Sequence, residues 1–271
     1  MNNSKNEKRT AVALGDFDGM HRAHQLVITG ASDVIIYSVN NKFSLMQKSI
    51  FESRYPNVIF ADFDEIKNMS GEEFIEKILV DKFGAGMVLC GFNFRFGKMA
   101  SWSALDMRKY LESRDIWVRI LEHLDFDGEP ISSTRIRKAL ENGEIGRANE
   151  MLGYNFTFEA EVLQGDKRGR TIGFPTINQN YPDGLVAVKF GVYESRVFVD
   201  GREYKAFTNI GNRPSWRVEN TLCETHIFDF SGDLYGKVIR VELLRYLRGE
   251  KVFNNVEELE AQLINDKSSI V

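Results

Sequence analysis

The chain has 271 residues, a formal net charge of -4 and 2 cysteines. This length permits one large domain or two ordinary ones, and the mildly acidic balance argues against a general nucleic-acid partner. No apolar run approaches the roughly 20 residues of a membrane span, so we expect no membrane partner. Two distant cysteines do not make a disulfide framework or a metal-ligand set, and they fit a reduced, cytoplasmic protein.

The first half of the chain alternates segments typical of strands and helices. Apolar runs that predict strands lie at 11–15, 33–39, 57–63, 86–92 and 115–121. Strands that alternate with helices predict an α/β domain with a parallel sheet.

Helices are predicted from their capping residues. Over 70–84, Ser70 is an N-cap, Glu73 completes a capping box, and Gly84 ends the helix. An amphipathic helix follows at 103–114, and 132–153 reads as two short helices that break near Asn142 and Gly143.

After Tyr154 the pattern changes to short strands separated by Gly, Asn and Asp. Apolar residues alternate at Phe156, Phe158, Ala160 and Val162, which predicts an antiparallel barrel or sandwich. The segment 254–267 predicts a closing helix. We therefore divide the chain into domains at 9–153 and 154–271. The sequence alone leaves the oligomeric state open.

A glycine-ended strand leads into histidines at 15–24, "GDFDGMHRAH". Ligands of parallel sheets bind at the carboxyl ends of strands. His21 and His24, three residues apart, fall on one face at the start of a helix, where they can bind phosphate oxygens. The same spacing also fits two solvent-facing histidines. Gly15, Asp16 and Phe17 would lie beside a bound nucleotide.

A second stretch, "ISSTRIR" at 131–137, begins a helix with hydroxyl and cationic side chains. Ser133 and Thr134 can hydrogen-bond phosphate oxygens, and Arg135 can bring a positive charge to them. A plain capped helix with solvated arginines fits the same residues.

Glycines and cations are concentrated at 165–173, within "GDKRGRTIGFPTINQN". Backbone N–H groups in such a loop can form an anion-binding nest, and basic side chains add positive charge. A solvent-exposed basic hairpin fits the pattern equally well. The candidate phosphate-binding residues are Gly165, Lys167, Arg168, Gly169, Arg170 and Gly173.

Pro175 precedes Thr176 and Asn178, which are two residues apart on an extended segment and should point the same way. Their neutral oxygens suit Mg²⁺, which prefers hard oxygen ligands and retains waters and phosphates. We therefore predict that ATP, as co-substrate, binds here with Mg²⁺.

Several motifs in a fixed order resemble a known family. "GDFDGMHRAHQ", "GFNFRFG" and "ISSTRIRKALENGEIGRANEMLG" are similar to the Rossmann-like nucleotidylyltransferase domain of bacterial bifunctional riboflavin kinase/FAD synthetases. The resemblance implies that FMN attacks the α-phosphate of ATP to form FAD. It implies catalytic roles for His21, His24 and Arg135, and a flavin contact for Asn93.

Residues 154–267 resemble riboflavin kinase, a closed antiparallel β-barrel with a C-terminal helix. The resemblance implies phosphorylation of riboflavin to FMN, with Glu224 as the general base and Thr176 and Asn178 at Mg²⁺. Arg248 and Glu250 would lie on the flavin side.

Some positions depart from the family pattern. Ala23 replaces a glycine, Trp102 stands where glycine is usual, and 37–45 lacks the usual Pro-His-Pro segment. Two alternatives therefore stay open: a riboflavin kinase with a degenerate first domain, and a non-catalytic flavin- or nucleotide-binding regulator.

Overall fold

The computed structural model of the chain describes residues 10–29, 33–39, 44–165, 168–213 and 220–270. The chain forms two compact units. The first comprises Met1–Phe43 and Lys48–Ser132, and the second comprises Ser44–Gln47 and Ser133–Val271.

The first unit is built on a parallel sheet in the strand order β3-β2-β1-β4-β7. That order reverses direction between β1 and β4, which is where ligands bind in open parallel sheets. Its strands are β1 (Thr10–Gly15), β2 (Ile35–Ser38), β3 (Val58–Phe60), β4 (Ala85–Gly91), β5 (Arg95–Phe96), β6 (Trp102–Ser103), β7 (Trp117–Leu121), β8 (Asp125–Phe126) and β9 (Glu129–Pro130). Its helices are α1 (Arg22–Ile28), α2 (Lys48–Arg54), α3 (Phe63–Ile66), α4 (Gly71–Phe74) and α5 (Ala104–Glu112).

The helix predicted over 70–84 begins where expected but changes type. Ser70 Oγ accepts from the backbone N–H of Glu73 at 3.1 Å, and the Glu73 carboxylate accepts from the N–H of Ser70 at 2.9 Å. After α4 the chain continues as a π-helix over Ile75–Lys82. The wider turn keeps Ile75, Ile78 and Leu79 buried against the sheet. Periodicity alone did not reveal this change.

The second unit is a closed antiparallel barrel in the strand order β10-β11-β14-β13-β12-β15, which confirms the predicted fold class. Its strands are β10 (Phe156–Leu163), β11 (Ile177–Asn180), β12 (Gly191–Val199), β13 (Arg202–Arg213), β14 (Asn220–Ile227) and β15 (Val238–Arg248). Its helices are α6 (Ser133–Glu141), α7 (Ile145–Leu152), α8 (Arg168–Thr171) and α9 (Val256–Ser268).

The barrel interior combines apolar side chains with buried hydroxyl groups. Phe156, Phe158 and Val162 are buried, as their alternation predicts. Ser195 Oγ lies 2.8 Å from Thr208 Oγ1, which lies 2.9 Å from Thr225 Oγ1. These bonds satisfy polar groups that would be costly to bury alone.

The helices before the predicted boundary at 153/154 are grouped with the barrel. Asn149 at the end of α7 donates to the carbonyl of Leu243 at 2.9 Å and accepts from the N–H of Phe156 at 2.8 Å. The short segment 44–47 also lies in this unit, where Gln47 exchanges two hydrogen bonds with the backbone of Glu159. The functional boundary after Gly153 stays a prediction.

Candidate functional site

A cavity of about 670 Å³ lies on the outer face of the barrel and is walled on one side by α9. One part of its lining is polar and the other is apolar. The polar residues include Thr176, Asn178, Asn209, Glu224 and Glu250, and the apolar ones include Phe174, Val192, Phe207, Val256, Leu259 and Leu263.

Strand register brings the polar residues together. Glu224 on β14 is the partner of Asn178 on β11 and of Asn209 on β13. The three therefore form a row across adjacent strands, on one face of the barrel. Thr176 lies two residues before Asn178 and lines the same cavity, as the spacing predicts.

The glycine-rich segment packs against this row. Gly165 leaves room for the Asn178 side chain, since a Cβ at this position would lie 2.7 Å from Asn178 Cγ. Gly169 lines the cavity and belongs to α8, a single helical turn. Gly173 adopts φ +78°, which favours glycine.

The basic side chains of this segment are predicted to bind phosphate. Lys167 lies outside the described residues, as do the side chains of Arg168 and Arg170. Their phosphate-binding role stays a prediction.

A smaller cavity of about 300 Å³ lies beside residues 175–177. Thr176 lines both cavities, and Pro175, Thr225 and Phe230 line the smaller one. Two ligands could therefore meet at Thr176, one in each cavity.

His226 supports the turn that carries Thr176. Its Nδ1 lies 2.8 Å from the carbonyl oxygen of Pro175, and its ring packs against Phe174 and Phe207. Burial lowers the pKa of His226, and the bond to Pro175 opposes that effect. Sequence analysis gave no role to this histidine, because the contact spans 51 residues.

Arg248 lines the cavity but is engaged by α9. Its Nε donates to Asp266 Oδ1 at 2.9 Å and its Nη2 to Oδ2 at 2.6 Å. Asp266 is 4% exposed and also accepts from Gln262 at 2.8 Å. The pair ties α9 to β15, so Arg248 positions the cavity wall in addition to facing the cavity.

In the first unit, two histidines meet at the carboxyl end of β1. The rings of His21 and His24 stack with centroids 3.6 Å apart, and Phe17 packs edge-on against His24 at 5.3 Å. Phe17 has φ +55° and a fully buried ring. The whole residue is buried, so its predicted contact with a nucleotide stays a prediction. Gly15 ends β1, and the carbonyl of Asp16 accepts from Ser38 Oγ at 2.8 Å.

Both histidines are neutral near pH 7. Burial lowers the pKa of His21 to about 4, against a smaller opposite effect of Asp18. Burial, reinforced by His21, lowers the pKa of His24 well below its usual range. His21 Nδ1 accepts from the N–H of His24 at 3.4 Å, so the proton of His21 lies on Nε2. The pair therefore offers hydrogen-bond donors and not fixed cations.

The unusual Trp102 has a packing role. It contacts Phe96 and Tyr110 edge-on, and Gly71 leaves the space for its ring. Asn93 follows β4 and is exposed at the carboxyl edge of the sheet. Its flavin contact stays a prediction.

The remaining predicted residues begin α6 in the second unit. Ser133, Thr134 and Arg135 form its first turn, and Thr134 is exposed. Their roles at phosphates stay predictions.

Sequence analysis assigned no role to three residues that line the cavity, Asn209, Phe174 and Phe207. Phe174 lies between the predicted residues Gly173 and Pro175. The one available sequence signal was the polar side chain of Asn209, within a strand whose apolar and polar residues otherwise alternate.

A metal ion at this site would need ligands other than a cluster of acidic, histidine or thiol side chains. Among the described residues, no group of three or more His, Cys, Asp or Glu side chains could hold a metal ion. The Thr176 hydroxyl and the Asn178 amide oxygen fit Mg²⁺, which needs few protein ligands beside phosphates and water.

Within the described part of the chain, no helix has the length and apolar character needed to cross a membrane.

Known proteins match both units. The family described as riboflavin kinase matches residues 152–270, and the family described as FAD synthetase matches residues 32–135. A bifunctional riboflavin kinase/FMN adenylyltransferase of Listeria monocytogenes is 31% identical, covering 94% of this chain and 90% of its own. The Bacillus subtilis protein of the same name is 29% identical, covering 98% and 92%.

A solved structure also matches the whole chain. The crystal structure of a protein described as a macrolide-efflux protein from Streptococcus pneumoniae has a TM-score of 0.87 and 27% identity. The match covers 96% of this chain and 93% of that one. The two domain matches and the full-length relatives show that the chain belongs to the bifunctional riboflavin kinase/FMN adenylyltransferase family.

Proposed function

We propose that the second unit phosphorylates riboflavin to FMN with ATP, and that the first unit adenylylates FMN to FAD. The observation that carries the kinase assignment is the convergence of Thr176, Asn178 and Glu224 on one cavity. A general base and two hard-oxygen ligands are the groups that phosphoryl transfer requires.

In the kinase step, Glu224 orients the terminal ribityl hydroxyl of riboflavin and accepts its proton. The hydroxyl oxygen then bonds to the γ-phosphorus of ATP, the bond to the bridging oxygen breaks, and ADP leaves. Thr176 and Asn178 would hold Mg²⁺, which supplies charge neutralisation at the phosphates when bound. Gly165 leaves room for the Asn178 side chain, and Gly169 leaves room for the carbonyl of Phe174.

Two adjoining cavities suit two substrates. We place riboflavin in the larger cavity, whose apolar wall of Leu259, Leu263 and Phe207 suits a flat ring system. We place ATP toward the smaller cavity, with its γ-phosphate at the shared Thr176.

In the adenylylation step, an FMN phosphate oxygen attacks the α-phosphorus of ATP and pyrophosphate leaves. His21 and His24 would donate hydrogen bonds to the phosphates from neutral rings. Gly15, Asp16 and Phe17 would border the nucleotide, a role supported by the family motif. Ser133, Thr134 and Arg135 would contribute hydroxyls and positive charge, a role supported by the family motif.

The state of the two cysteines supports a cytoplasmic location. Cys90 and Cys223 are buried and free, and burial raises the pKa of Cys90 to about 12. Such thiols are inert and need no oxidising compartment.

The proposal is tested by incubating the protein with ATP, Mg²⁺ and either riboflavin or FMN, and separating the flavins by chromatography. We expect FMN from riboflavin and FAD from FMN. FMN without FAD would leave a kinase with an inactive first domain. Binding of both substrates without either product would identify a regulator.

Glu224→Gln separates catalysis from binding. We expect loss of at least about 100-fold in kcat for FMN formation, since the general base is removed, with riboflavin binding retained. Glu203→Gln is the matched control, because that strand glutamate pairs with Arg196 and does not line the cavity. Unchanged turnover in Glu224→Gln would contradict the assignment.

A further inference from the structure

His226 lies beside the larger cavity without lining it. It follows Glu224 by two residues on β14, so the two side chains share a face of the strand about 7 Å apart. The strand partner of His226 is Phe207, and Phe207 lines the cavity. His226 itself is 6% exposed. Any effect of His226 on the cavity must therefore pass through its neighbours.

The ring of His226 packs among three aromatic rings, yet it carries a polar atom. Its centroid lies 5.1 Å from that of Phe174, 5.2 Å from that of Phe207 and 5.6 Å from that of Phe228. Its Nδ1 lies 2.8 Å from the carbonyl oxygen of Pro175. A carbonyl oxygen only accepts, so Nδ1 carries the proton and donates it. Because phenylalanine would pack here without a polar atom, the hydrogen bond is what distinguishes histidine at this position.

The bond from His226 fixes the orientation of one peptide group. The Pro175 carbonyl and the Thr176 N–H belong to the same trans peptide, so they point in opposite directions. Strand pairing does not hold this peptide, because β11 begins at Ile177. The Thr176 nitrogen lies near Gly169 of the glycine-rich segment, since a Cβ at Gly169 would be 3.7 Å from it. His226 thus sets the backbone orientation of Thr176 from the side opposite to its N–H.

We propose that His226 is a positioning residue for the nucleotide site: its Nδ1–H fixes the Pro175–Thr176 peptide and so holds the Thr176 hydroxyl ready for Mg²⁺ and the phosphates. The inference rests on the proposed riboflavin kinase function and on the assignment of Thr176 to Mg²⁺. A residue that is already oriented loses less conformational freedom when its ligand binds. The hydrogen bond therefore strengthens the binding of a magnesium nucleotide, and it has no corresponding effect on riboflavin.

Two substitutions separate the donor of His226 from its ring. His226→Phe keeps an aromatic ring in the cluster and removes the donor. His226→Asn removes the ring and keeps the donor, because the Asn amide nitrogen is separated from Cα by the same number of bonds as His Nδ1. A role in positioning predicts that His226→Asn resembles the wild type, whereas a role in packing alone predicts that His226→Phe does.

The test measures ADP binding to the full chain by titration calorimetry, with saturating Mg²⁺ and with EDTA. We expect His226→Phe to weaken binding with Mg²⁺ about tenfold, the order of one lost hydrogen bond. Binding of ADP without Mg²⁺ and binding of riboflavin, followed by flavin fluorescence, should stay within about twofold of the wild type. In FMN formation, KM for ATP should rise about tenfold and kcat should fall less than about threefold, because the loss is one of binding.

A site for ADP is also proposed in the first unit, so the site of the second unit is identified as the binding step that Thr176→Ala weakens. Adding His226→Phe to Thr176→Ala should cause no further loss, since the hydroxyl that His226 positions is then absent.

His226→Gln keeps the test decisive even if His226→Phe does not fold. Gln and Asn both remove the ring, but the longer Gln side chain carries its amide past the position of Nδ1. We expect His226→Asn to bind ADP with Mg²⁺ about tenfold more tightly than His226→Gln.

Wild-type affinity for ADP with Mg²⁺ in His226→Phe would overturn the proposal, as would equal affinities in His226→Asn and His226→Gln. An equal loss with and without Mg²⁺ would also overturn it. A wild-type protein that forms no FMN would overturn the proposed function together with this inference. A wild-type protein that forms FMN, and whose Mg²⁺ dependence changes in Thr176→Ala but not in His226→Phe, would overturn the inference alone.

Discussion

Thr176 is the residue on which the two barrel cavities converge, and its hydroxyl is one of the two neutral oxygens suited to Mg²⁺. We expect Thr176→Ala to lower kcat for FMN formation by at least about tenfold, because a hard-oxygen ligand is lost, and to raise the Mg²⁺ concentration needed for half-maximal rate. The measurement is FMN formation across a Mg²⁺ titration.

Thr221→Ala is the control for that titration. Thr221 lies on β14 and does not line either cavity that Thr176 lines. An identical Mg²⁺ dependence in Thr176→Ala and Thr221→Ala would exclude Thr176 from the metal site.

At the residue scale, the sequence predicted which side chains meet only where the residues are close together in the chain. Thr176 and Asn178 share a face because strand alternation is local, and His21 stacks on His24 because helix spacing is local. The partnership of Asn209 with Glu224, and the bond of His226 to Pro175, depend on strand register and were not predictable.

At the scale of elements, a nearly buried ion pair ties α9 to β15. The side chains of Arg248 and Asp266 are 16% and 4% exposed. We expect Asp266→Asn to destabilise the second unit by about 3 kcal/mol, because a charged guanidinium is left without its carboxylate. Urea-induced unfolding followed by fluorescence measures this loss.

Glu260→Gln serves as the comparison, since Glu260 is an exposed acidic residue of the same helix. A change in unfolding free energy equal in the two variants would show that the ion pair does not hold α9.

The position of α9 in the sequence was predictable, but its packing over the cavity was not. The predicted closing helix forms as α9, where Asn255 is the N-cap and accepts from the N–H of Glu258 at 2.8 Å. The placement of α9 over the cavity follows from Asp266 meeting Arg248, 18 residues away. The same limit applies to the π-helix at Ile75–Lys82, which tertiary packing favours over the predicted regular helix.

At the scale of the whole molecule, the first unit should lose stability in acid. Folding holds His21 neutral with a pKa of about 4, whereas the unfolded chain has its usual value of 6.5. The unfolded chain therefore binds more protons between these values, and stability falls as the pH drops through that window. For His21 alone, we expect a loss of about 2 kcal/mol between pH 7.5 and pH 5.

Scanning calorimetry at pH 7.5 and pH 5 measures this effect on the first unit, and the shift caused by Asp266→Asn identifies the transition of the second. His21→Asn should reduce the acid-induced loss. His123→Asn, at an exposed site, should keep it at the wild-type size. Equal losses in both variants would contradict neutral burial of His21.

The division into two units was visible in the sequence as a change from alternating helices and strands to short strands alone. The grouping of α6, α7 and residues 44–47 with the barrel was not visible, because it depends on distant side-chain contacts such as Asn149 with Leu243.

The two units should differ in their tendency to aggregate, because the barrel is closed and the parallel sheet is open. The barrel strands each have neighbours on both sides, so their backbone groups offer no template to another chain. The parallel sheet ends at β3 and β7, and Trp117 on β7 is 73% exposed. When heat or acid loosens the first unit, we expect intermolecular strand pairing at that edge, where the charge of Arg119 on β7 opposes it.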